Sequence, residues 1–511
     1  MTAFVLVSDM FTGTHVWQDT AARLTAAGAE AHPVALTGLE GPRAAQANGV
    51  DLETHIADVL AVVDSVGAAA DRKIVLVGHG YGIHPALGAA DRRAGRIDRI
   101  VYLDSGMPRD GAPPLAAVPD QSLRARLTGT GEDRGTGEFL PPPAGRDAWR
   151  LWGSTAGVGD AALDRLTALA APHPLGTLLQ PLRLTGAVTA VPTTGVLCRE
   201  NGASIDMVQM LVGFGDPALQ ALTDPRVTFF ELATGHWPML SRPAELTDVL
   251  LRAAAGEGHR LVPADAAAPP AHLRPFLLDV PEAPRERHGN VDLHLPGADG
   301  PRPAVLFVHG GPVPADARPT PRDWPALRGY ARVAAAGGAV GALVDHRLHD
   351  LADFERAAAD VATAVEVVRA DPRVDADRIA LWFFSGGGLL AADWLAAPPA
   401  WLRCLALTYP VLVPLPDWGL SDSRFHPTRA VADAGALPVV LTRVGLEMPQ
   451  IAATVEEFLA AAEDGGADAE VIDVPHGHHS FETVDPTDES RAAVRRAMRA
   501  VLDRVGLHGA P

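Results

Sequence analysis

The chain has 511 residues, of which 47% are hydrophobic and 21% are charged. This length accommodates two large α/β domains, and the composition is that of a globular protein rather than a disordered one. The formal net charge of −19 disfavours binding to the phosphate backbone of nucleic acids and to anionic membrane surfaces. No apolar run approaches the ~18 residues that a membrane span needs.

Cys198 and Cys404 are the only cysteines, which excludes a disulfide framework and a cysteine-only zinc site. The N-terminal segment lacks the basic region and the small-residue cleavage site of a secretory signal. We therefore expect a cytoplasmic protein.

Strand and helix patterns alternate along the first half of the chain. Short β-branched runs predict strands, and apolar residues at helical spacing predict helices. The predicted strands are 4–7, 73–77, 100–103, 194–198 and 227–232, and the helices are 16–27 and 52–66.

Regular patterns fail near residues 252–290, where the stretch 255–272 is rich in Pro, Ala and Gly, as linkers are. The second half then repeats the same order of elements. Its predicted strands are 304–308, 339–344, 378–384, 405–409, 438–444 and 469–474, and helices are predicted at 354–369 and 389–395. This alternation predicts mostly parallel sheets with helices on both faces. We expect two tandem α/β domains, 1–254 and 285–511, joined by a linker at 255–284.

Ser385 stands at the end of the strand predicted at 378–384, before three glycines and a helix pattern. A serine at a tight turn from strand to helix has its hydroxyl exposed at the sheet edge, with the N-terminus of the helix directed at it. This arrangement predicts a nucleophile, although Phe383 replaces the first glycine of the usual pattern Gly-x-Ser-x-Gly. The alternative is a serine that caps a helix after a glycine-rich turn.

Three glycines are candidates for an oxyanion hole. The strand 304–308 ends in His309-Gly310-Gly311, where a glycine pair lets backbone N–H groups point into a cavity. A tetrahedral oxyanion needs two such donors, which we assign to Gly386 and to the turn at Gly310 and Gly311. The alternative is an ordinary glycine-rich turn.

A carboxylate and a group of histidines follow the later strands of the second half. Glu447 follows the strand 438–444, and His476, His478 and His479 lie after the last strand, where a general base is expected. Three close histidines also allow a metal site. No carboxylate cluster at ligand spacing accompanies them, so we expect no metal.

Residues 285–506 resemble the α/β-hydrolase superfamily, and in particular its dienelactone-hydrolase-like and acetyl-esterase-like members. The chain order serine, acid, histidine is that of this superfamily. The segment that begins at His479 reads His-Ser-Phe and is similar to the His-small-Phe pattern of many esterases, which favours His479 over His478 as the base. The resemblance implies a serine hydrolase for small esters or lactones, with His479, Ser385 and Glu447 as its triad.

The first half resembles small esterases and hydroxynitrile-lyase-like proteins over residues 3–252. Its strand at 73–77 leads into Gly-His-Gly-Tyr-Gly, which is similar to the Gly-His-Ser-x-Gly elbow of those proteins. Gly80 stands where the nucleophilic serine belongs. Ser8-Asp9 replaces the His-Gly of the oxyanion turn, and an aspartate there opposes a developing anion.

Other parts of a hydrolase site are retained in the first half. His236 lies in a segment that closely matches the family's catalytic-histidine loop, and the strand 194–198 leads to Glu200, where the acid is expected. We favour a degenerate, non-hydrolytic domain. The alternatives are a site reused for other chemistry, in which Gly80 and His236 contact a ligand, and an engineered replacement of the serine, against which the changed oxyanion turn argues.

An insertion at about 110–185 separates two strands of the first half. In this fold such an insertion is a cap over the site, and caps bind apolar parts of substrates. A subdomain that only packs is an equal alternative.

The sequence thus predicts a serine esterase or lactonase in the second half and a pseudo-hydrolase of structural or substrate-shaping role in the first. An acyltransferase, lyase or cyclase is the alternative among enzymes, because a triad does not specify the acceptor. A non-catalytic ligand-binding protein is the alternative of another class, and it requires that Phe383 hold Ser385 away from His479. No nucleotide-binding loop is present, so we expect a small-molecule substrate and no cofactor. A homodimer stays open.

Overall fold

A computed structural model gives the fold and describes all residues except 42–48, 67–71, 119–120, 129–138, 214–216, 264–268, 416–417, 419, 421–422 and 509–511. Contacts between Cα atoms divide the chain into two compact units, Met1–Pro263 and Ala264–Pro511. Each unit contains one large, mostly parallel sheet together with helices. The predicted α/β class with two such sheets is therefore confirmed.

The first unit has a six-stranded parallel sheet in the order β2-β1-β3-β4-β7-β8, and β5 and β6 form a separate short pair. Its strands are β1 (Thr2–Val7), β2 (Glu30–Pro33), β3 (Lys73–His79), β4 (Ile97–Leu103), β5 (Phe139–Leu140), β6 (His173–Pro174), β7 (Thr193–Cys198) and β8 (Val227–Leu232). Its helices are α1 (Gln18–Ala26), α2 (Leu52–Val66), α3 (Ile83–Arg92), α4 (Gln121–Thr128), α5 (Asp160–Leu169), α6 (Leu175–Leu179), α7 (Ile205–Gly213), α8 (Pro217–Gln220), α9 (Pro238–Ser241) and α10 (Pro243–Ala254).

Continuous burial explains the composition of the central strands. Strand β3 has neighbours on both sides, β1 and β4, and its residues from Ile74 to His79 are all buried. An interior strand of a parallel sheet is covered on both faces and therefore consists of a continuous apolar run. Helix α2 instead buries residues at helical spacing, such as Ile56, Val59 and Val63.

The second unit has an eight-stranded sheet in the order β9-β10-β12-β11-β13-β14-β15-β16. Its strands are β9 (Arg285–His288), β10 (Val291–His294), β11 (Arg302–Val308), β12 (Val340–Val344), β13 (Val374–Phe384), β14 (Leu402–Thr408), β15 (Val439–Leu446) and β16 (Ala469–His478). Its helices are α11 (Pro325–Ala336), α12 (Phe354–Ala370), α13 (Ala392–Ala396), α14 (Pro427–Ala430), α15 (Pro449–Gly465), α16 (Phe481–Val484) and α17 (Asp488–Arg504).

The two sheets share one plan. Strands β12, β11, β13, β14, β15 and β16 follow one another in the second sheet as β2, β1, β3, β4, β7 and β8 do in the first, and all these neighbours pair in parallel. The second sheet adds an antiparallel edge, β9 and β10, which pairs with β12. In open parallel sheets the carboxyl ends of the strands carry the functional residues.

The stretch 255–284, which the sequence suggests as a linker, contains the division between the units. Its described residues are packed at both ends. Leu261 belongs to an apolar cluster of the first unit, whereas Leu278 and Val280 belong to the core of the second. Burial of such side chains stabilises each unit by ~1.5–3 kcal/mol per residue.

Among the described residues, no helix combines the length and the apolar composition that crossing a membrane requires.

Candidate active site

Ser385 follows directly on β13 and adopts φ = 51°. Strand β13 ends at Phe384 and helix α13 begins at Ala392. The segment between them, Ser385–Ala391, forms a 3₁₀ helix. A left-handed conformation costs a residue with a side chain of order 1–3 kcal/mol and is found mainly at functional sites. The sharp turn lifts the serine off the carboxyl edge of the sheet, as the sequence predicts.

The structure brings Ser385, His479 and Glu447 together. The Oγ atom of Ser385 lies 2.7 Å from Nε2 of His479, and Nδ1 of that histidine lies 2.8 Å from Oε2 of Glu447. The backbone N–H of Met448 donates to Oε1 of the same carboxylate at 2.8 Å. These hydrogen bonds fix the imidazole in the orientation that a general base beside a hydroxyl requires.

His479 is also distinguished from its neighbours by burial. The side chains of His479 and Glu447 are only 5% and 4% exposed, so water does not weaken their interaction as it does at a surface. His476 and His478 are exposed, and His478 pairs with Asp485 instead. The structure therefore places His479, and not His478, at the serine.

The three predicted oxyanion glycines lie around Ser385. A Cβ atom added to Gly310 would lie 2.8 Å from the Cβ of Ser385, and one added to Gly386 would lie 2.4 Å from the carbonyl oxygen of Gly311. Only the absence of side chains lets the two turns approach this closely. Their role as N–H donors to an oxyanion stays a prediction.

Phe383 does not separate the serine from the histidine. It is buried and pairs with Val308 and Leu407 in the neighbouring strands. In the first unit α3 begins early, and a Cβ on Gly78 would lie 2.5 Å from the Cα of Ile83. In the second unit the α-helix begins only after the 3₁₀ turn, which leaves room for the larger side chain.

The first unit keeps the same turn without a nucleophile. Gly80 adopts φ = 50° at the end of β3, the position of Ser385 in the other sheet. A Cβ on this glycine would lie 2.2 Å from Oδ1 of Asp9. The carboxylate of Asp9 therefore occupies the space that a serine side chain would need, and it accepts a hydrogen bond of 2.6 Å from the backbone N–H of Tyr81.

His236 is held between two aspartates. Its Nε2 lies 2.9 Å from Oδ2 of Asp9, and its Nδ1 lies 2.7 Å from Oδ2 of Asp104. The sequence-based assignment of Glu200 as the acid is therefore wrong, since Glu200 is exposed. Asp104 follows directly on β4, one strand closer to the elbow than expected, and its left-handed φ of 44° turns it toward the histidine.

Charge explains how this cluster persists in a buried place. Burial disfavours the ionised form of Asp9, but the hydrogen bond and the charge of His236 outweigh it and lower the pKa of Asp9 to about 2. Burial likewise disfavours the imidazolium, but the hydrogen bonds and charges of Asp104 and Asp9 raise the pKa of His236 to about 10. At neutral pH the cluster is thus an imidazolium between two carboxylates.

Residues of the predicted cap contact this cluster. The backbone N–H of His236 donates to the carbonyl oxygen of Ser154 at 2.8 Å, and that of Gly235 donates to Ala156 at 3.1 Å. The backbone N–H of Ser154 in turn donates to the side chain of Asn201 at 2.7 Å. The histidine loop and this part of the insertion therefore form one hydrogen-bonded unit.

Asp9, His79 and His236 could also hold a metal ion by spacing alone, because their ligand atoms lie within 4.8 Å of one another. A metal needs a free lone pair on each imidazole. Both nitrogens of His236, however, already bond carboxylates. The imidazolium supplies the positive charge that the two aspartates require, so we interpret the group as an ion triad.

Comparisons with known proteins identify the family of this chain. The model of the alpha/beta hydrolase family matches residues 4–249. The carbendazim hydrolyzing esterase of Nocardioides sp. (strain SG-4G) is 33% identical over 198 residues, which cover 37% of this chain and 77% of that protein. The chain belongs to the α/β-hydrolase family.

Solved structures similar to this α/β-hydrolase each cover about half of it. The methylesterase MES16 from Arabidopsis is 20% identical, with a TM-score of 0.37, over 50% of this chain and 99% of its own. Tomato methylketone synthase I is 19% identical, with a TM-score of 0.38, over 50% and 98%. A thermostable esterase from Pseudomonas putida ECU1011 is 17% identical, with a TM-score of 0.37, over 45% and 86%.

Asp104 is the site residue of this α/β-hydrolase that sequence reasoning missed. A signal for it exists, because it follows directly on the predicted strand 100–103. The chain order alone could not choose between this strand end and the one before Glu200.

The ion triad makes the stability of the first unit depend on pH. The pKa of His236 is about 10 in the folded protein, against ~6.5 in an unfolded chain. Its contribution to stability is therefore complete below about pH 6.5 and lost as the pH rises through 10. We expect Asp9→Asn to lower the Tm more at about pH 6 than at about pH 10.5, where the imidazolium that Asp9 balances has lost its proton.

Differential scanning calorimetry at the two pH values measures this difference. Asp147→Asn is the matched control, because this carboxylate of the same unit is 96% exposed, and its effect should be small at both. An equal loss of Tm at both pH values for Asp9→Asn would contradict the assignment of an imidazolium.

Proposed function

We propose that the second unit is a serine esterase that acts on a small-molecule ester or lactone. The observation that carries this proposal is the relay from Ser385 through His479 to Glu447, with distances of 2.7 and 2.8 Å. A hydroxyl followed by a buried imidazole and a buried carboxylate is the arrangement that activates a serine for attack on a carbonyl carbon.

The geometry supports the following sequence of steps. His479 takes the proton of Ser385 as its Oγ attacks the carbonyl carbon, and Glu447 keeps the imidazole in the correct tautomer and stabilises the imidazolium. Backbone N–H groups of Gly386 and of the turn at Gly310 and Gly311 donate to the oxyanion. The imidazolium then protonates the leaving alcohol. Water, activated by the same histidine, releases the acyl group from the serine.

The first unit is, in this proposal, a pseudo-hydrolase. Gly80 has no side chain that could act as a nucleophile. The carboxylate of Asp9 accepts the hydrogen bond from the backbone N–H of Tyr81, which is then not free to donate to the carbonyl oxygen of a substrate. His236, with a pKa of about 10, carries its proton at neutral pH and cannot accept another. The hydrogen bonds from its loop to the insertion support a structural role.

The first test of the esterase proposal uses p-nitrophenyl acetate and butyrate. We expect an acyl-enzyme burst followed by turnover in the wild type, and a loss of at least about 10³-fold in kcat for Ser385→Ala, since the relay then lacks its nucleophile. A fluorophosphonate probe should add to the wild type once per chain, as measured by intact mass, and not to Ser385→Ala.

Ser423→Ala removes another serine of the same unit, outside the relay, and should keep turnover and labelling. Carbendazim belongs in the substrate panel because a relative at 33% identity is named for its hydrolysis. Wild-type protein that neither turns over an ester nor takes the probe would contradict the proposal, as would undiminished labelling of Ser385→Ala.

A second test asks whether Asp9 and Gly80 together silence the first unit. In the Ser385→Ala background, Gly80→Ser alone should remain unlabelled, because its Cβ would lie 2.2 Å from the Asp9 carboxylate. Combining it with Asp9→Gly removes that carboxylate and frees the N–H of Tyr81. We expect this combination to be labelled by the fluorophosphonate. Intact mass would measure the labelling, and peptide mapping would locate it at position 80.

Asp9→Gly alone in the same background is the control and should stay unlabelled, since it supplies no hydroxyl. Labelling of the single variant Gly80→Ser would show that Asp9 does not block the site. Absence of labelling in the folded combination would show that the first unit lacks more than these two residues.

A further inference from the structure

Glu482 is a buried carboxyl group that the proposed mechanism does not use. It lies in α16, three residues after His479, and is only 4% exposed. Its Oε1 atom accepts a hydrogen bond from the hydroxyl of Tyr409. Its Oε2 atom is buried and has no hydrogen-bond partner among the described residues. Burying a carboxyl with an unpaired oxygen is unfavourable, so packing alone does not account for it.

Tyr409 connects this carboxyl to the relay. It is the first residue after β14 and adopts φ = 36°, a strained conformation for a bulky side chain. Its ring centroid lies 4.7 Å from that of His479, at an angle of 53°. The phenol thus contacts the imidazole with its ring and Glu482 with its hydroxyl.

The first unit uses the same place in the sheet for an acid. Strand β4 lies beside β3, which precedes Gly80, and strand β14 lies beside β13, which precedes Ser385. Asp104 follows β4 and Tyr409 follows β14, with left-handed φ values of 44° and 36°. Asp104 bonds Nδ1 of His236 directly. In the second unit Glu447, from the next strand, takes that nitrogen, and the place beside the elbow holds a phenol with Glu482 bound to it.

We propose that Glu482, acting through Tyr409, is a positioning residue that supplies a second negative charge to His479 during acyl transfer. The proposal rests on the esterase function assigned to the second unit. Its carboxylate stabilises the imidazolium that forms when the histidine takes the serine proton, whereas its neutral acid form does not. Activity therefore depends on the ionisation of Glu482.

Four titratable groups interact with Glu482. Burial raises its pKa to about 7, although the hydrogen bond from Tyr409 and the charge of His479 lower it, and Asp485 raises it further. Burial, and then the charge of Glu482, hold the pKa of Tyr330 and of Tyr409 well above the usual range, so both phenols stay neutral. Glu482 is thus mostly neutral below pH 7 and mostly anionic above it.

The test compares kcat/KM for p-nitrophenyl butyrate between the wild type and Glu482→Gln over about pH 5.5 to 9. The ratio of the two profiles reports what the Glu482 carboxyl contributes, including its effect on the imidazole. We expect the ratio to be level at low pH and to rise about three- to tenfold across pH 7, as one added charge near the imidazolium would cause. The rise should appear in kcat rather than in KM.

A second variant keeps the proposal testable if Glu482→Gln folds poorly. Tyr409→Phe keeps the carboxyl but removes the hydrogen bond that favours its ionised form, so the step near pH 7 should move to higher pH. Glu489→Gln is the matched control, because Glu489 pairs with the exposed His476 rather than with Tyr409, and its ratio to the wild type should be level.

An activity-independent readout separates this proposal from the esterase assignment. In protein labelled with ¹⁵N-histidine, the pH dependence of the ring signal that His479→Gln removes should differ between the wild type and Glu482→Gln, because only the wild type has this carboxyl beside the imidazole. Such a difference without any ester turnover would support the coupling and overturn only the esterase proposal. A pH-independent ratio of kcat/KM, or the same pH dependence of the histidine signal in both proteins, would overturn the role of Glu482.

Discussion

Both units depend on one backbone constraint, a left-handed residue directly after strand β3 in the first unit and after strand β13 in the second. Gly80 and Ser385 adopt φ values of 50° and 51° there. Among the described residues, the five non-glycine residues with positive φ all lie after strands at the two sites; they are Phe11, Asp104, Ser385, Tyr409 and Ser480. Strain of this kind persists only where the surrounding sheet holds the backbone in place. The rigid parallel sheet therefore makes each site possible.

The two units differ in the charge that faces the histidine. In the second unit His479 faces the uncharged hydroxyl of Ser385. In the first unit the pKa of Asp9 is about 2 and that of His236 is about 10, so at neutral pH His236 faces an anion and is itself positively charged. The same fold thus places the imidazole beside a hydroxyl in one unit and between two carboxylates in the other, and a neighbouring charge is one of the factors that determine the pKa of an imidazole.

Most of the fold could be predicted because parallel strands are continuous apolar runs. Strand β8 and helix α2 match their predicted ranges. The exposed edge strand β9 and the short buried strand β10, in which apolar and polar residues alternate, lack such runs and were missed. Ser385, His479 and Glu447 follow strands that the sequence identifies. Asp104 was missed because two strand ends could supply the acid. No local pattern shows that Asp9 would reach Gly80 or that Tyr409 would bind Glu482, since these contacts join distant segments.

The carboxylate of Asp9 accepts a hydrogen bond from the backbone N–H of Tyr81, as the carboxylate product of an ester hydrolysis could, but it is covalently part of the chain and cannot dissociate. The first unit thus holds a carboxylate of its own chain at the turn beside Gly80. If the first unit is the pseudo-hydrolase proposed above, hydrolysis there would require at least two changes together, because a serine at position 80 collides with the carboxylate and removal of the carboxylate alone supplies no nucleophile. Under that proposal neither change alone would be favoured by selection for activity, so the first unit would not regain hydrolysis one substitution at a time.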